Sequence, residues 1–152
     1  MKTFEKTSLI NCDIQELFDF HVNMKNLEAI TPLNMDFELI NKDFVPYEGG
    51  IVKIRTVKNF IPTSWEVKID KLQSPDLLVD IAVKSPFKYW EHSHIFTKKG
   101  SLCELKDVVK YELPFGKFGE LFDFIIRKEL KTMFEYRHKI TKELLEDIKE
   151  QI

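Results

Sequence analysis

Tyr89-Trp90-Glu91-His92-Ser93-His94-Ile95-Phe96, a turn at Lys98 to Ser101, and then Cys103-Glu104-Leu105-Lys106-Asp107-Val108-Val109-Lys110-Tyr111-Glu112-Leu113 form the stretch that decides the fold. Trp90, His92, His94 and Phe96 recur at every second position, and so do Cys103, Leu105, Asp107, Val109, Tyr111 and Leu113. A period of two is the spacing of side chains on one face of a strand. The segment therefore reads as two paired antiparallel strands. Placing a tight turn on Lys99-Gly100 sets His92 opposite Asp107 and His94 opposite Leu105.

The same period runs upstream from Met35, through Phe37/Leu39, Val52/Ile54/Thr56, Trp65/Val67/Ile69 and Leu77/Val79/Ile81/Val83. Breakers punctuate these runs: Pro46 with Gly49-Gly50, Pro62, Ser74-Pro75, Ser85-Pro86, Gly100 and Pro114. Thr3 to Ile10 adds an edge strand. Two helices follow it. Asp13 to Val22 carries the stripe Ile14, Leu17, Phe18 and His21 or Val22, with Asp13 and Glu16 spaced as a capping box. Met24 to Ile30 is shorter and stops ahead of Thr31-Pro32, because proline disfavours helical geometry in the residue before it.

From Phe118 to the end the period becomes helical: Phe118, Phe122, Ile125 or Ile126, Leu130, Met133 or Phe134, Arg137, Ile140, Leu144 and Ile148. One amphipathic helix of about 50 Å is expected, at 1.5 Å per residue. An antiparallel sheet must cover its apolar face. A strand, two short helices, a meander of strands and one long helix thus read as an α+β sheet curled around that helix.

The chain has 152 residues, 43% hydrophobic and 32% charged, against about 25% charged in an average domain. Together with the lack of repeats and linkers, this gives one globular domain over residues 1–152. Lys and Arg number 23 against 25 Asp and Glu, for a net charge of -2, which argues against nucleic acid as a partner. Cys12 and Cys103 lack any zinc or disulfide spacing and read as buried free thiols. The charged start Met1-Lys2-Thr3-Phe4-Glu5-Lys6 and the lack of a long apolar run point to a cytoplasmic protein without stable membrane insertion. The mixed acids and bases of the last helix fit a solvated face better than a membrane anchor. Thirteen Phe, four Tyr and two Trp require either a crowded core or an apolar hollow.

Chemistry concentrates on Trp90 to Phe96. A carboxylate beside an imidazole fixes its tautomer and raises its pKa, so His92 or His94 with Asp107 are candidates for acid-base work. The plainer reading is a structural hydrogen bond within the sheet. A metal shared by His92 and His94 with Asp107 is disfavoured, since such a site should show further His or carboxylate ligands on the same face. No metal and no cofactor is therefore expected. His21 and His138 read as lone, mostly surface histidines. Arg137 interrupts the helical stripe, either as a snorkelling side chain paired with a carboxylate or as a ligand contact. Nucleophile elbows and phosphate loops are absent.

The runs Phe60-Ile61-Pro62-Thr63-Ser64-Trp65, Ser85 to Phe96, Asp107 to Gly116 and Phe134-Glu135-Tyr136-Arg137 resemble the bacterial SRPBCC ligand-binding proteins. These belong to the START/Bet v 1-like superfamily often labelled polyketide cyclase/dehydrase. The most specific piece is W-x-H-x-H-x-F, followed eleven residues after the Phe by D-x-V-x-Y-x-L-P-x-G. The resemblance implies a helix-grip fold of six or seven strands, with an apolar cavity between sheet and helix. It also implies binding of lipids, sterols, polyketides or other hydrophobic molecules. The expected cavity residues are Trp65, Trp90, His92, His94, Phe96, Asp107, Tyr111 and Arg137. Two alternatives stand beside binding: a cyclase or dehydratase using the His/Asp pair, and a protein-interaction module without ligand. Neither ligand identity nor oligomeric state follows from the sequence.

Overall fold

Alternation in the sequence becomes a sheet of seven antiparallel strands in the computed structural model of the protein, which describes residues 1–150. The strands are β1 (Lys2–Ile10), β2 (Asp36–Leu39), β3 (Ile51–Lys58), β4 (Ile61–Gln73), β5 (Leu77–Lys84), β6 (Tyr89–Lys99) and β7 (Leu102–Glu112). Their order is β1-β7-β6-β5-β4-β3-β2, so the chain's first strand closes against its last. Helices α1 (Ile14–Val22) and α2 (Lys25–Ala29) connect β1 to β2, and α3 (Gly116–Glu120) and α4 (Asp123–Glu150) follow β7. The sheet curls into a half-barrel around α4, a helix-grip fold. Register shifts at Glu66/Val67 and Ile69/Lys71 in β4 supply curvature, because an extra residue on one strand bends it.

Local signals place α1. Asp13 lies just outside the helix in extended geometry, and its carboxylate accepts from Gln15 N at 3.1 Å. The buried Leu17 and Phe18 then meet Ile10, Phe96 and Leu105 in one core cluster. A second cluster joins Trp90, Val109 and Tyr111 of the sheet to Leu130 and Phe134 of α4. Helix α4 is held along β1 by polar ties at both ends: Arg127 donates to Thr3 O at 3.0 Å and Lys142 to Leu9 O at 3.1 Å.

Several expectations are corrected. The β6–β7 turn lies on Gly100-Ser101, with Lys99 paired to Leu102, so His94 sits opposite Asp107 and His92 opposite Val109. Gly100 has φ +61, the left-handed geometry a tight hairpin demands at its first central residue. Pro62 lies inside β4, where that strand is paired to β3 alone; β5 joins only from Glu66 onward. The run Leu77/Val79/Ile81/Val83 faces away from α4. Asp80 pairs with His92 and Leu78 with His94, so the even-numbered residues share the histidines' face. Strand β5 is apolar on both faces, and its composition therefore does not reveal its phase.

The long helix is also shorter and rotated. Phe118 lies in α3 and Phe122 in the turn after it, and both are exposed. Helix α4 spans 28 residues, about 42 Å at 1.5 Å per residue. Its buried stripe is Leu130, Phe134, His138, Thr141 and Leu145, while Leu144 is exposed. Ile126 and Met133 are partly buried beside this stripe, and the side chain of Ile148 lies outside the described residues. His138 is thus a core residue, in contrast to the surface position expected.

Leu130 is 4% exposed and faces the sheet. Leu130→Asp is expected to unfold the protein, since an unpaired buried charge costs at least about 3 kcal/mol. Loss of the cooperative thermal transition by circular dichroism checks this. Cys12 and Cys103 form no disulfide among the described residues and both are buried, and burial pushes the Cys12 thiol up to about 12. Both should resist alkylation until the chain unfolds, which mass spectrometry at rising urea concentrations reads directly.

Candidate functional site

Three neighbouring strands and the long helix deliver polar groups to one point on the concave face. Asp80 comes from β5, His92 and His94 from β6, Asp107 from β7 and His138 from α4. The hydrogen bonds run diagonally across the sheet. His92 lies opposite Val109 but donates from Nε2 to Asp107 Oδ1 at 2.6 Å. His94 lies opposite Leu78 but donates from Nε2 to Asp80 Oδ2 at 3.0 Å. Diagonal neighbours are within reach of side chains this long, so the His92/Asp107 pair survives a one-residue shift of the turn, which moves each cross-strand partner by two.

Asp107 is the hub. Its second oxygen accepts from His138 Nε2 at 2.5 Å, and His138 Nδ1 is 2.7 Å from Ser8 Oγ of β1. His94 Nδ1 lies 3.2 Å from Asp107 Oδ1, off the line of a good hydrogen bond. The rings of His92 and His94 stack with centroids 3.8 Å apart. All four histidines of the chain line one cavity, since His21 of α1 faces His94 from the other side with ring centroids 5.6 Å apart. His21 Nδ1 donates to Leu17 O at 2.8 Å. Its Nε2 is left as an acceptor.

Electrostatics divide the imidazoles. Burial opposes charge on Asp107, but His92, with hydrogen bonds from His138 and His92, holds its carboxyl well below the usual range. Burial likewise opposes a charged His94, yet the carboxylates of Asp107 and Asp80 hold it up to about 9. Burial, reinforced by His94, pushes His92 down, and the same two causes push His21 down to about 4. Charge is thus favoured on His94, beside two carboxylates, and disfavoured on His92 and His21.

The cavity next to this cluster has a volume of about 240 Å³. Trp65, Trp90, His92, His94, Asp107 and Arg137 line it, as do Asp80, His21 and His138. Phe96 and Tyr111 are not in its lining. Phe96 packs edge-on against Phe18, and Tyr111 is buried, with its hydroxyl donating to Asp123 Oδ1 at 2.7 Å. Apolar groups such as Phe20, Ile54, Val67, Ile69 and Met133 form the remaining wall. Arg137 lies 5.5 Å from the Phe134 ring centre, and its Nε and the Thr141 hydroxyl are buried without a hydrogen-bond partner among the described residues. Burial lowers the Arg137 pKa.

Sequence reasoning missed Asp80, His21 and His138. A single carboxylate in Leu77-Leu78-Val79-Asp80-Ile81-Ala82-Val83 was the signal for the first. For His138 it was the four-residue step from Leu130 through Phe134.

No protein-family model matches the sequence, and no curated protein does. Solved structures match over almost the whole chain. TTHA0849 from Thermus thermophilus is 14% identical with a TM-score of 0.75, covering 97% of this chain and 99% of its own. CV1439 from Chromobacterium violaceum is 9% identical with a TM-score of 0.76, covering 95% and 96%. A START superfamily protein from Mycobacterium smegmatis is 11% identical with a TM-score of 0.65, covering 96% and 98%. The chain shares the fold of these structures, an SRPBCC-like helix grip. No helix among the described residues is long and apolar enough to cross a membrane.

Asp107→Ala should strand two buried N–H donors, His92 Nε2 and His138 Nε2. A loss of about 3–5 kcal/mol is expected, which for a domain of this size lowers Tm by about 10 °C. A scanning calorimetry trace within a degree or two of the parent would show that the hub carries no such weight.

Proposed function

We propose that the protein binds a compact hydrophobic small molecule carrying one anionic or strongly accepting group, held in the cavity between sheet and α4. The observation that carries this is Arg137. A guanidinium at the wall of an apolar cavity, with its Nε buried and unpaired, is costly unless a partner arrives from within the cavity. The Thr141 hydroxyl beside it is in the same position.

Three further points support the reading. Ligand pockets are mostly apolar with a few convergent polar groups, as here. The volume of about 240 Å³ falls a little under the roughly 300–1,000 Å³ of typical clefts, which favours a small occupant. A Phe-packed interior would instead have argued for an interaction module. The superfamily that the sequence resembles handles lipids, sterols and polyketides. On this reading Trp65 and Trp90, whose rings meet edge to face at 5.3 Å, contact the apolar body. Arg137 and Thr141 then hold its polar end.

Both tryptophans of the chain line the cavity, so binding is visible in their fluorescence. Anilinonaphthalene sulfonate, apolar with one anionic group, should quench them at one site per chain. The neutral phenylnaphthylamine should bind more weakly. Arg137→Met should weaken the sulfonate at least about tenfold while changing the neutral dye by less than about threefold. Equal loss for both dyes would separate Arg137 from anion recognition. Native mass spectrometry finding neither dye bound would count against the cavity as a binding site.

A further inference from the structure

Asp80, His92 and His94 present one ligand atom each, all within 4.8 Å of one another. The carboxylate oxygen Asp80 Oδ2 is 3.0 Å from His94 Nε2 and 3.9 Å from His92 Nδ1. Ligands around a tetrahedral ion with bonds of about 2.0–2.1 Å stand about 3.3 Å apart, so shifts of under about 1 Å per side chain bring the distances into range. The two rings, now stacked at 31° to one another, also rotate to aim both in-plane lone pairs at one ion. The three side chains line the cavity, where a fourth coordination position would open.

The surroundings of these atoms match what a metal site requires. A ligating imidazole keeps its tautomer when its other nitrogen donates to a carboxylate, an arrangement that also raises its basicity. His92 meets this condition: Nε2 donates to Asp107 Oδ1 at 2.6 Å, which leaves Nδ1 as the atom turned toward Asp80. His94 meets it in part, with Nδ1 3.2 Å from the same oxygen and Nε2 turned toward Asp80. Asp107 thus stands behind both rings, hydrogen-bonded to His92 and in close approach to His94, and His138 fixes it from α4. The sequence disfavoured a metal because it offered only Asp107 as a third ligand. The fold supplies Asp80 for that role and moves Asp107 one shell outward.

We propose that Asp80 Oδ2, His92 Nδ1 and His94 Nε2 bind one divalent transition-metal ion of the zinc class, with an open position toward the cavity. Two imidazoles and one carboxylate suit zinc and its neighbours in the first transition row better than magnesium or calcium, which prefer all-oxygen sites. On entry the metal displaces the proton that His94 shares with Asp80. An ion there would place a Lewis acid at the polar end of the cavity. The site stands on its own geometry and does not depend on the hydrophobic-ligand reading.

The 152-residue chain, stripped with EDTA and extracted with organic solvent, is titrated with Zn²⁺ by calorimetry and with Co²⁺ by absorption. One ion per chain is expected. Asp80→Asn and His94→Gln should each weaken Zn²⁺ at least about 100-fold, and Asp107→Asn about 10–100-fold through its positioning role. Cys12→Ala, which removes a thiol, should leave the affinity within about threefold. Magnesium at the same concentrations should not compete. Should the variants fail to fold, the parent protein carries the test by its cobalt spectrum. Enhanced visible bands without sulfur charge transfer support the site, while no saturable 1:1 uptake, or a thiolate band, overturns it. Unchanged Zn²⁺ affinity in a folded Asp80→Asn overturns it equally. Dye binding is read separately on the stripped protein, so either proposal can fail alone.

Discussion

The Asp107 carboxylate is the constraint on which the rest of the structure depends. It is 3% exposed, and a lone ionised carboxylate at such depth would cost several kcal/mol. It is retained because donors converge on it from β6 and α4: His92 on one oxygen, His138 on the other. His138 in turn leans on Ser8 of β1, so one charge ties the two adjoining strands and the long helix together. Apolar packing brings α4 to the sheet, since Leu130 and Phe134 are buried against Trp90, Val109 and Tyr111. Packing of this kind is non-directional. The hydrogen bond to Asp107 is directional, and it fixes the rotation at which the helix presents Arg137 to the cavity.

The cavity follows from the same arrangement. Two apolar clusters close the sheet against the helices, one beneath α1 and one beneath the first half of α4. Between them lies a polar knot of four imidazoles, two carboxylates and a guanidinium, which cannot be packed as hydrocarbon because each group requires partners of its own. Polar groups that satisfy one another leave shape to the space around them. Those that are not satisfied among the described residues, Arg137 Nε above all, direct the chemistry inward.

Much of the architecture was legible because period is a local property. Strands β1, β3, β6 and β7 and helices α1 and α2 fall where alternation, capping and proline place them. The site was legible in part. His92, His94 and Asp107 announce themselves as polar residues at inward positions of aromatic strands. Asp80 did not, because β5 is apolar on both faces and its phase is set by pairing to β6. His138 did not, because the apolar stripe of α4 admits two rotations, one centred on Arg137 and Ile140 and the other on Phe134 and Thr141. The expectation of one helix from Phe118 failed because α3 ends at Glu120 and the chain turns before Asp123, where Tyr111 bonds the first turn of α4.

The sequence by itself determined the order of elements, the curl of a single sheet around a terminal helix, and the presence of histidines beside an aspartate on an aromatic face. Each rests on side-chain spacing along one segment. Tertiary structure alone decided which groups meet. Gly100-Ser101 sets the β6–β7 register, the β5–β6 register brings Asp80 to the histidines, and the rotation of α4 brings His138 to Asp107. Those contacts join residues up to 31 positions apart within the hub, and 130 apart from Ser8 to His138. Separations of that length are settled by pairing and packing between elements, which local spacing does not encode.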